Sequence, residues 1–430
     1  MIRFYTYSKD KKTIQRILGK RLALDDSKLR AVAKIVKSVQ DKGDAALLEF
    51  SARFDGVTFK SARNLIISES ALKKAWQSTP LPIQNALKTA AERIRAFHKK
   101  QIPAGWSIIE ENGIRLEQRF IPLESVGVYV PGGIAAYPSS VLMNVIPAQI
   151  AGVERIVMVT PPLKGKSSYT ILAAAHLLGI KEIYQVGGAQ AVAALAFGTR
   201  TIPRVDKVVG PGNIYVACAK RLLYGIIDID MFAGPSEIMV VADSSVAYSF
   251  IVADMLSQAE HDPEAVAIAV IIGALKKEMF MDELSRQLKT APRRDIITKS
   301  LKANGMVIQA PDRKTALALI NLKSPEHLEL MVRDPEIMAK KVRNAGAVFL
   351  GQFTPEVIGD YVAGPNHTLP TGGTARFFSP LSVFDFIKMN HVVDFSEEAF
   401  MQYAGTAEIL AECETLFAHA NAVKIRKRKC

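Results

Sequence analysis

Arg155-Ile-Val-Met-Val-Thr160 is a short apolar run rich in β-branched residues, and it predicts a buried strand. Helical and strand-like patterns alternate after it, in the order helix, strand, helix, strand and helix, at residues 170–178, 183–186, 189–197, 206–209 and 214–223. Gly179 stands where the first of these helices ends, and glycine there is typical of a C-terminal cap. The alternation predicts parallel strands joined by helices in a doubly wound sheet.

A second alternation of the same kind begins near residue 237. Strands are predicted at 238–242, 265–272, 306–309, 328–332 and 347–350, with helices at 247–261, 276–288 and 315–322. Helical spacing of apolar residues also covers 25–100 and 397–418, and 422–425 is compatible with a further strand. The predicted fold class is α/β, with two incomplete Rossmann-like doubly wound parallel sheets and helical N- and C-terminal extensions.

The two alternations divide the chain into predicted domains, with the first inserted in the second. The predicted boundaries give an N-terminal extension at 1–24, a main α/β domain with a helical first part at 25–128 and 237–380, an inserted α/β domain at 129–236 and a C-terminal segment at 381–430. A chain of 430 residues is too long for one ordinary core, so several domains are expected.

The composition is typical of a globular enzyme, with 49% hydrophobic and 23% charged residues. The net charge is +13, but basic residues are spread along the chain and the one dense cluster, 424–429, has no nucleic-acid motif beside it. We therefore expect a generally basic surface and no nucleic-acid partner. No apolar run reaches the roughly 18–20 residues of a membrane span, so no membrane association is expected.

The cysteines bear on the cellular compartment. Cys218, Cys413 and Cys430 are odd in number and widely scattered, which is not a disulfide framework. Residues 1–12 lack the apolar core of a signal peptide. The expected location is therefore a reducing cytoplasm.

Pro325-Glu326-His327 places a carboxylate directly beside an imidazole. Neighbouring side chains diverge on a strand or a helix, so the two can serve one substrate only from a turn, which the proline favours. The carboxylate can take a proton from water, and the imidazole can move protons near neutral pH. On its own such a dipeptide is also common in solvated loops.

Three glycine-rich turns follow predicted strands of the first alternation, at 129–133, 186–190 and 210–213. Glycine lets the backbone come close to a ligand, and the carboxyl ends of parallel strands meet at one crevice. None of the turns matches the G-x-G-x-x-G pattern. Each one alone is compatible with simple chain reversal, whereas together they favour a nucleotide or similar ligand held in a non-standard way.

Two further segments carry groups that can bind a metal. Gln258 and His261 are three residues apart at a predicted helix end, and zinc accepts both imidazole and oxygen ligands. The loop at 359–374 carries Asp360, which could complete a metal site, and His367, which could contact a substrate. A polar helix end and a capped turn are the alternative interpretations.

Glu414 and His419 are five residues apart in a predicted helix, which separates them by about 140°. They cannot share a face of a straight helix. Either the helix ends between them or they approach a site from a bend.

Taken together, these segments resemble the histidinol dehydrogenase family over nearly the whole chain. The resemblance is carried by Gly127-Val-Tyr-Val-Pro-Gly-Gly133, by Asp206-Lys-Val-Val-Gly-Pro-Gly-Asn213, by Leu256-Ser-Gln-Ala-Glu-His261, by Pro325-Glu-His-Leu328, by Gly364-Pro-Asn-His-Thr-Leu-Pro-Thr371 and by the segments 186–199, 233–237 and 419–422. It implies an aldehyde-dehydrogenase-like arrangement of the two sheets. It also implies that 129–236 binds NAD and that 381–430 makes a homodimer with shared active sites.

The resemblance assigns roles to individual residues. The implied ligands of one zinc ion per site are Gln258, His261, Asp360 and His419. The implied NAD contacts are Tyr129, Gln190 and Asn213, and the implied catalytic pair is Glu326 and His327. The implied substrate contacts are Ser236, Gln258, His261, His327, Asp360, His367, Glu414 and His419.

The reaction that the resemblance implies has two steps. L-Histidinol becomes L-histidinal and then L-histidine, at the end of histidine biosynthesis, and two NAD⁺ are reduced. The first step needs a base for the alcohol proton, which suits His327, and the second needs activated water, which suits Glu326. Neither Cys218 nor Cys413 lies in an activating context, so no thioester route is expected. The alternatives are a zinc hydrolase and an NAD-binding regulatory protein without catalysis.

Overall fold

The computed structural model describes residues 2–21, 26–132, 137–162, 168–232 and 234–428. Gly133, Ala233, Lys429 and Cys430 lie outside the described residues. The chain forms two compact units: unit 1 comprises 1–101 and 124–386, and unit 2 comprises 102–123 and 387–430. Across the described ranges, no helix combines the length and the hydropathy needed to cross a membrane.

The described strands and helices cover most of the chain. The strands are β1 (Arg3–Thr6), β2 (Trp106–Ile109), β3 (Ile114–Pro122), β4 (Ser125–Tyr129), β5 (Arg155–Thr160), β6 (Glu182–Gln185), β7 (Lys207–Val209), β8 (Asp228–Ile229), β9 (Glu237–Ala242), β10 (Val266–Ile272), β11 (Met306–Ala310), β12 (His327–Met331), β13 (Ala347–Leu350) and β14 (Ile387–Phe395). The helices are α1 (Tyr7–Leu18), α2 (Asp26–Lys42), α3 (Asp44–Phe50), α4 (Glu69–Ser78), α5 (Leu81–His98), α6 (Pro138–Ala151), α7 (Ser168–Leu177), α8 (Gly188–Phe197), α9 (Ile214–Leu223), α10 (Tyr248–Ala259), α11 (Lys277–Thr290), α12 (Arg294–Ala303), α13 (Arg313–Lys323), α14 (Pro335–Ala339), α15 (Glu356–Tyr361), α16 (Glu397–Cys413) and α17 (Phe417–Lys427).

Unit 1 contains a six-stranded parallel sheet in the order β1-β11-β10-β9-β12-β13. The central strand β9 is buried along its whole length. Ile238 and Val240 contribute to a core shared with α10, α11 and α12, whereas Met239 and Val241 contribute to a core shared with α1 and α13. Alternate residues of a strand face opposite sides, so helices cover both faces of this sheet.

Unit 1 also contains a five-stranded parallel sheet in the order β6-β5-β4-β7-β8. Apolar residues of α2, α3, α8 and α9 pack together with residues of β5 and β7 in one core. The strand β4 lies in the middle of the sheet, so the turns that follow β4 and its neighbour β7 lie side by side at the carboxyl edge.

The predicted α/β fold class is confirmed, since both sheets of unit 1 are parallel and alternate with helices. The predicted cap at Gly179 is also confirmed, because its φ of 68° ends the turn after α7. The prediction of inserted and main domains with their boundaries stays a prediction. The prediction of a strand at 422–425 is wrong, because these residues belong to α17.

Unit 2 has a different architecture, built around the three-stranded antiparallel sheet β14-β3-β2. The helices α16 and α17 follow this sheet in the sequence and pack against each other. Thr415, with a φ of 61°, lies between the two helices. The helix predicted at 397–418 therefore ends before Glu414, which is one of the two arrangements that the spacing of Glu414 and His419 allowed.

Candidate active site

Glu326 and His327 lie where a helix gives way to a central strand. The helix α13 ends at Ser324, whose φ of 54° reverses the chain, and His327 is the first residue of β12. Glu326 thus occupies the irregular segment that the proline predicted. The backbone is crowded here, because a Cβ added at Gly346 would lie 2.6 Å from the carbonyl oxygen of Glu326.

One residue of the neighbouring strand holds both members of this pair. The backbone N–H of Glu237, at the start of β9, donates to Glu326 Oε2 over 2.7 Å. The Glu237 carbonyl oxygen lies 3.1 Å from His327 Nδ1, so Nδ1 carries a proton toward it. The side chain of Glu237 forms a buried ion pair with Lys323. The pair is therefore fixed by main-chain groups of a buried strand.

Three carboxyl groups surround the His327 ring. Glu326 Oε2 lies 3.8 Å and Glu356 Oε2 lies 3.5 Å from Nδ1, and Asp360 Oδ1 lies 3.5 Å from Nε2. The Asp360 distance is too long for a good hydrogen bond. Among the described residues, the buried Nε2 has no hydrogen-bond partner. This nitrogen is therefore the atom of the pair that can serve a ligand.

The pKa values of these groups follow from burial and from one another. Burial opposes protonation of His327, but Glu326, Asp360 and Glu356 outweigh it and raise the pKa of the imidazole well above its ordinary value. Burial raises the pKa of Glu326 to about 8 and that of Glu356 to about 7, although His327 opposes both shifts. The cluster can therefore exchange protons in the pH range where enzymes work.

The three metal ligands predicted in unit 1 converge on His327. The amide of Gln258, oriented to satisfy its neighbours, donates from Nε2 to Glu356 Oε2 over 2.9 Å and lies 3.2 Å from His327 Nδ1. Burial would raise the pKa of Asp360, but His327, His367 and His261 lower it, so these groups are close in space. Burial lowers the pKa of His261 despite the charge of Asp360, which keeps its ring neutral.

The chemistry of these donors fits zinc. Zinc accepts each of these donors: the neutral ring of His261, the carboxylate of Asp360 and the amide oxygen of Gln258. Nowhere in the described ranges do three His, Cys, Asp or Glu side chains form a group that could hold a metal.

The other predicted substrate contacts fall into two groups. Ser236 immediately precedes Glu237, and burial lowers the pKa of His367 beside Asp360, so both belong to the same region of unit 1. Glu414 and His419 lie in unit 2, where both are exposed. The structure thus brings the unit 1 residues together, whereas Glu414 and His419 belong to the other unit.

The three glycine turns meet at the carboxyl edge of the five-stranded sheet. The hydroxyl of Tyr129, at the end of β4, accepts a hydrogen bond of 3.0 Å from the backbone N–H of Gly188. A Cβ at Gly210 would overlap the Tyr129 carbonyl oxygen, and one at Gly187 would lie 2.5 Å from Pro161. Only glycine fits at these two positions, because the turns pack directly against Tyr129 and Pro161. The helices α8 and α9 begin at two of the turns, and helix N-termini favour phosphate groups.

The predicted NAD contacts Gln190 and Asn213 flank these turns. Gln190 is buried in the first turn of α8, with its Oε1 2.7 Å from where a Cβ of Gly188 would stand. Asn213 is exposed and caps α9, with Oδ1 accepting from the backbone N–H groups of Tyr215 and Val216. Burial raises the pKa of Tyr129 to about 12, so its hydroxyl stays protonated.

Sequence reasoning missed a carboxylate network behind the site. Glu356 accepts a hydrogen bond of 2.7 Å from Ser257 Oγ, and its N–H donates over 2.7 Å to Glu329 Oε1. Glu329 in turn shares a hydrogen bond with Asp254. Glu329 could have been noticed in the sequence, because it is a carboxylate within the apolar strand predicted at 328–332. No motif marks Glu356.

Comparison with known proteins identifies the family. A family model described as histidinol dehydrogenase matches residues 20–427. The chain belongs to the histidinol dehydrogenase family. It is an oxidoreductase with the activity of this family, which serves histidine biosynthesis. The prediction drawn from the sequence motifs is thereby confirmed.

Individual histidinol dehydrogenases agree with this assignment along the whole chain. The enzyme of Carboxydothermus hydrogenoformans is 50% identical over 409 residues, which are 95% of this chain and 96% of that one. The enzyme of Neisseria meningitidis serogroup A is 46% identical over 419 residues, covering 96% and 97% of the two chains. The crystal structure of the Elizabethkingia anophelis enzyme is 34% identical, with a TM-score of 0.90 and coverage of 100% and 98%.

A more distant structure concerns the fold alone. An acetylating aldehyde dehydrogenase from Geobacillus thermoglucosidasius is 13% identical, with a TM-score of 0.51, and covers 91% of this chain and 96% of its own. The aldehyde-dehydrogenase-like arrangement that the resemblance implied for the histidinol dehydrogenase family is thus confirmed at the level of the fold.

Proposed function

We propose that this enzyme oxidises L-histidinol through L-histidinal to L-histidine, in two NAD-linked steps that depend on zinc. The observation that carries the proposal is the double anchoring by Glu237. Its N–H holds Glu326 and its carbonyl holds His327, and among the described residues the buried His327 Nε2 has no hydrogen-bond partner. A fixed base beside a fixed carboxylate suits an alcohol oxidation followed by addition of water.

Gln258, His261 and Asp360 would hold the zinc ion, with His419 as the fourth ligand. When bound, zinc supplies positive charge that orients the imidazole and amine nitrogens of histidinol. Ser236 and His367 border this region and would contact the same substrate. The neutral ring of His261 suits this role, since only an unprotonated nitrogen binds a metal.

His327 and Glu326 divide the proton transfers. In the first oxidation His327 Nε2 takes the proton of the alcohol hydroxyl, while Nδ1 keeps its hydrogen bond to the Glu237 carbonyl. In the second, Glu326 takes a proton from the water that adds to the aldehyde, and His327 assists. Glu356 stays behind the ring and favours its protonated form.

The glycine turns and their neighbours would hold NAD. When bound, NAD⁺ accepts one hydride in each oxidation. Tyr129, Gln190 and Asn213 border the turns, and the Tyr129 hydroxyl already organises the turn at Gly188. The supporting observation is that Gly187 and Gly210 follow β6 and β7 at the carboxyl edge of one parallel sheet, where open α/β sheets bind ligands.

We further propose a homodimer with shared active sites. Glu414 and His419 belong to unit 2, and both side chains are exposed. In this arrangement the partner subunit's His419 completes the zinc site, and the partner subunit's Glu414 contacts the substrate. The exposure of both side chains, which lets them contact another subunit, supports the proposal.

The test is a coupled assay on zinc-loaded protein with L-histidinol and NAD⁺. We expect absorbance at the NADH band to rise by two equivalents for each histidinol consumed, with L-histidine as the product. A single equivalent would refute the two-step reaction. A flat trace with metal-loaded, folded protein would count against the dehydrogenase and favour the zinc hydrolase.

A further inference from the structure

Two opposite charges are buried beneath the Gly210–Asn213 turn and have no part in the mechanism above. Lys220 lies on α9, and Asp230 directly follows β8. Their side chains are only 3% and 1% exposed, and their charged atoms are 2.6 Å apart. Burying two charges demands a strong compensating arrangement, because the removal of each ion from water opposes folding.

Both buried side chains form hydrogen bonds with the main chain of one residue, Gly210. Lys220 Nζ donates to the Gly210 carbonyl oxygen over 2.6 Å, and Asp230 Oδ2 accepts from the Gly210 N–H over 2.8 Å. Asp230 Oδ1 also accepts from the N–H of Met231 over 2.7 Å. The ion pair therefore satisfies both main-chain polar groups of a residue that lies outside any helix or strand.

Gly210 needs such support because its conformation is unusual. Its φ is 109°, and a Cβ would collide with the carbonyl group of Tyr129. The hydroxyl of that same tyrosine accepts the hydrogen bond from Gly188. The buried pair thus reaches two of the three glycine turns, directly through Gly210 and indirectly through Tyr129.

We propose that Lys220 and Asp230 are positioning residues that hold the Gly210–Asn213 turn in the shape that accepts the dinucleotide. The inference rests on the proposed NAD role of this sheet edge. Loss of the pair frees the Gly210 peptide groups, so the turn samples other shapes and NAD⁺ must reorder it on binding. Affinity for NAD⁺ then falls, whereas the histidinol and zinc residues, which other parts of the chain carry, stay in place.

The test measures NAD⁺ binding to zinc-loaded protein by isothermal titration calorimetry, together with the KM values for NAD⁺ and histidinol. Lys220→Met should raise the Kd and the KM for NAD⁺ at least tenfold, with zinc content and the KM for histidinol within twofold of wild type. Lys220→Arg, which keeps a charged donor, should recover part of the affinity. A Kd within twofold of wild type in folded Lys220→Met would overturn the proposal.

A second variant covers the case in which the lone Asp230 prevents folding. Lys220→Met/Asp230→Leu removes both charges, so it should fold, yet it still leaves Gly210 unsupported and should bind NAD⁺ weakly. Wild-type affinity in this double variant would refute the positioning role.

Lys207→Met is the matched control. Lys207 is also buried, and it lies 3.0 Å from Asp228 and 3.8 Å from Asp385, at the end of β7 opposite the turn. It should change stability without changing the Kd for NAD⁺. If wild-type enzyme itself binds no NAD⁺, the proposed function fails together with this inference; if wild type binds and the double variant binds equally, only the inference fails.

Discussion

Lys323 Nζ lies 2.5 Å from Glu237 Oε1, and both side chains are less than one-tenth exposed. This contact joins the last residue of α13 to the first residue of β9. The peptide groups of Glu237 hold Glu326 and His327, so the ion pair fixes the strand that positions the catalytic pair.

Lys323→Met should destabilise the protein and slow catalysis. Removing one partner leaves the Glu237 carboxylate buried without its counter-charge, which lowers the free energy of unfolding by about 3–5 kcal/mol. Urea denaturation measures this loss. The double variant Lys323→Met/Glu237→Gln should recover most of it, because no charge remains. The control is Lys314→Met, at an exposed position of the same helix. If Lys323→Met lost no more stability than Lys314→Met, the prediction would be contradicted.

Glu326→Gln should slow the aldehyde step more than the alcohol step. Glutamine can still accept the hydrogen bond from the Glu237 N–H, but it cannot take a proton from water. We expect oxidation of L-histidinal to fall by about 100-fold or more, with a smaller loss for L-histidinol. Single-turnover rates with each substrate separate the steps. Glu336→Gln, on the exposed side of α14, is the control, and equal slowing of both steps would refute the division of labour.

His261→Asn should lower the zinc content of the purified enzyme. The ring of His261 is kept neutral by burial and lies beside Asp360, as a ligand requires. Elemental analysis after dialysis against a weak chelator measures the stoichiometry. His391→Asn, at an exposed position of β14, should keep its zinc. Unchanged metal content in His261→Asn would remove this residue from the ligand set.

Mixing two inactive variants should restore activity if sites are shared. His419→Ala removes a group from unit 2, and Glu326→Ala removes a group from unit 1. In a mixed dimer one site receives both intact residues, so we expect about one quarter of wild-type activity per total dimer after random exchange, when each site assembles independently. Mass spectrometry of differently tagged subunits verifies the exchange. Confirmed mixed dimers without activity would show that each site is self-contained.

Glu329→Gln should weaken the dependence of stability on pH. Burial raises the pKa of Glu329 to about 10, so the folded protein keeps a proton that the unfolded chain, with an ordinary value of 4.5, releases. The stabilisation is complete below pH 4.5 and is lost as the pH rises toward 10, by at most about 1.4 kcal/mol per pH unit. Glutamine cannot titrate, so urea denaturation from about pH 6 to about pH 9 should give a shallower decline than wild type.

Exposed Glu336→Gln serves again as the control for this titration and should follow the wild-type slope. Parallel slopes for wild type and Glu329→Gln would show that Glu329 is ionised in the folded protein. Its partner Asp254, whose pKa burial raises to about 6, contributes mainly at lower pH.

Most of unit 1 could be predicted from the sequence because its strands are short apolar runs separated by helices. The strand predicted at 347–350 and the helix predicted at 214–223 match β13 and α9 residue for residue. The signal is clearest for a completely buried strand such as β9, since both of its faces exclude polar residues. The edge strand β1 was missed, because Arg3–Thr6 is only partly buried and has no such pattern.

Unit 2 was harder to predict because its pairing is remote in sequence. Pro122 of β3 is opposite Ile387 of β14, and neither strand is continuously apolar. The residues 422–425 contain valine and isoleucine, but the alanine-rich context of α17 determines their conformation. Local propensity alone could not decide between these outcomes.

The candidate site was predictable where a motif marks it, and not where packing creates it. Glu326 and His327 are adjacent in sequence, so their proximity was visible. Glu356 reaches His327 only because α15 packs beside β12, and Lys323 reaches Glu237 only because β9 and β12 are neighbours. Contacts of this kind depend on tertiary structure, which a single sequence does not display.

The position of β1 has a consequence for biosynthesis. Arg3 is opposite Met306, and its guanidinium donates to the Ala303 carbonyl oxygen, 300 residues further along the chain. During translation β1 therefore cannot pair with β11 until that strand has emerged from the ribosome. At roughly 5–20 residues per second this delay lasts about 15–60 seconds, a window in which chaperones or misfolding compete for the nascent chain.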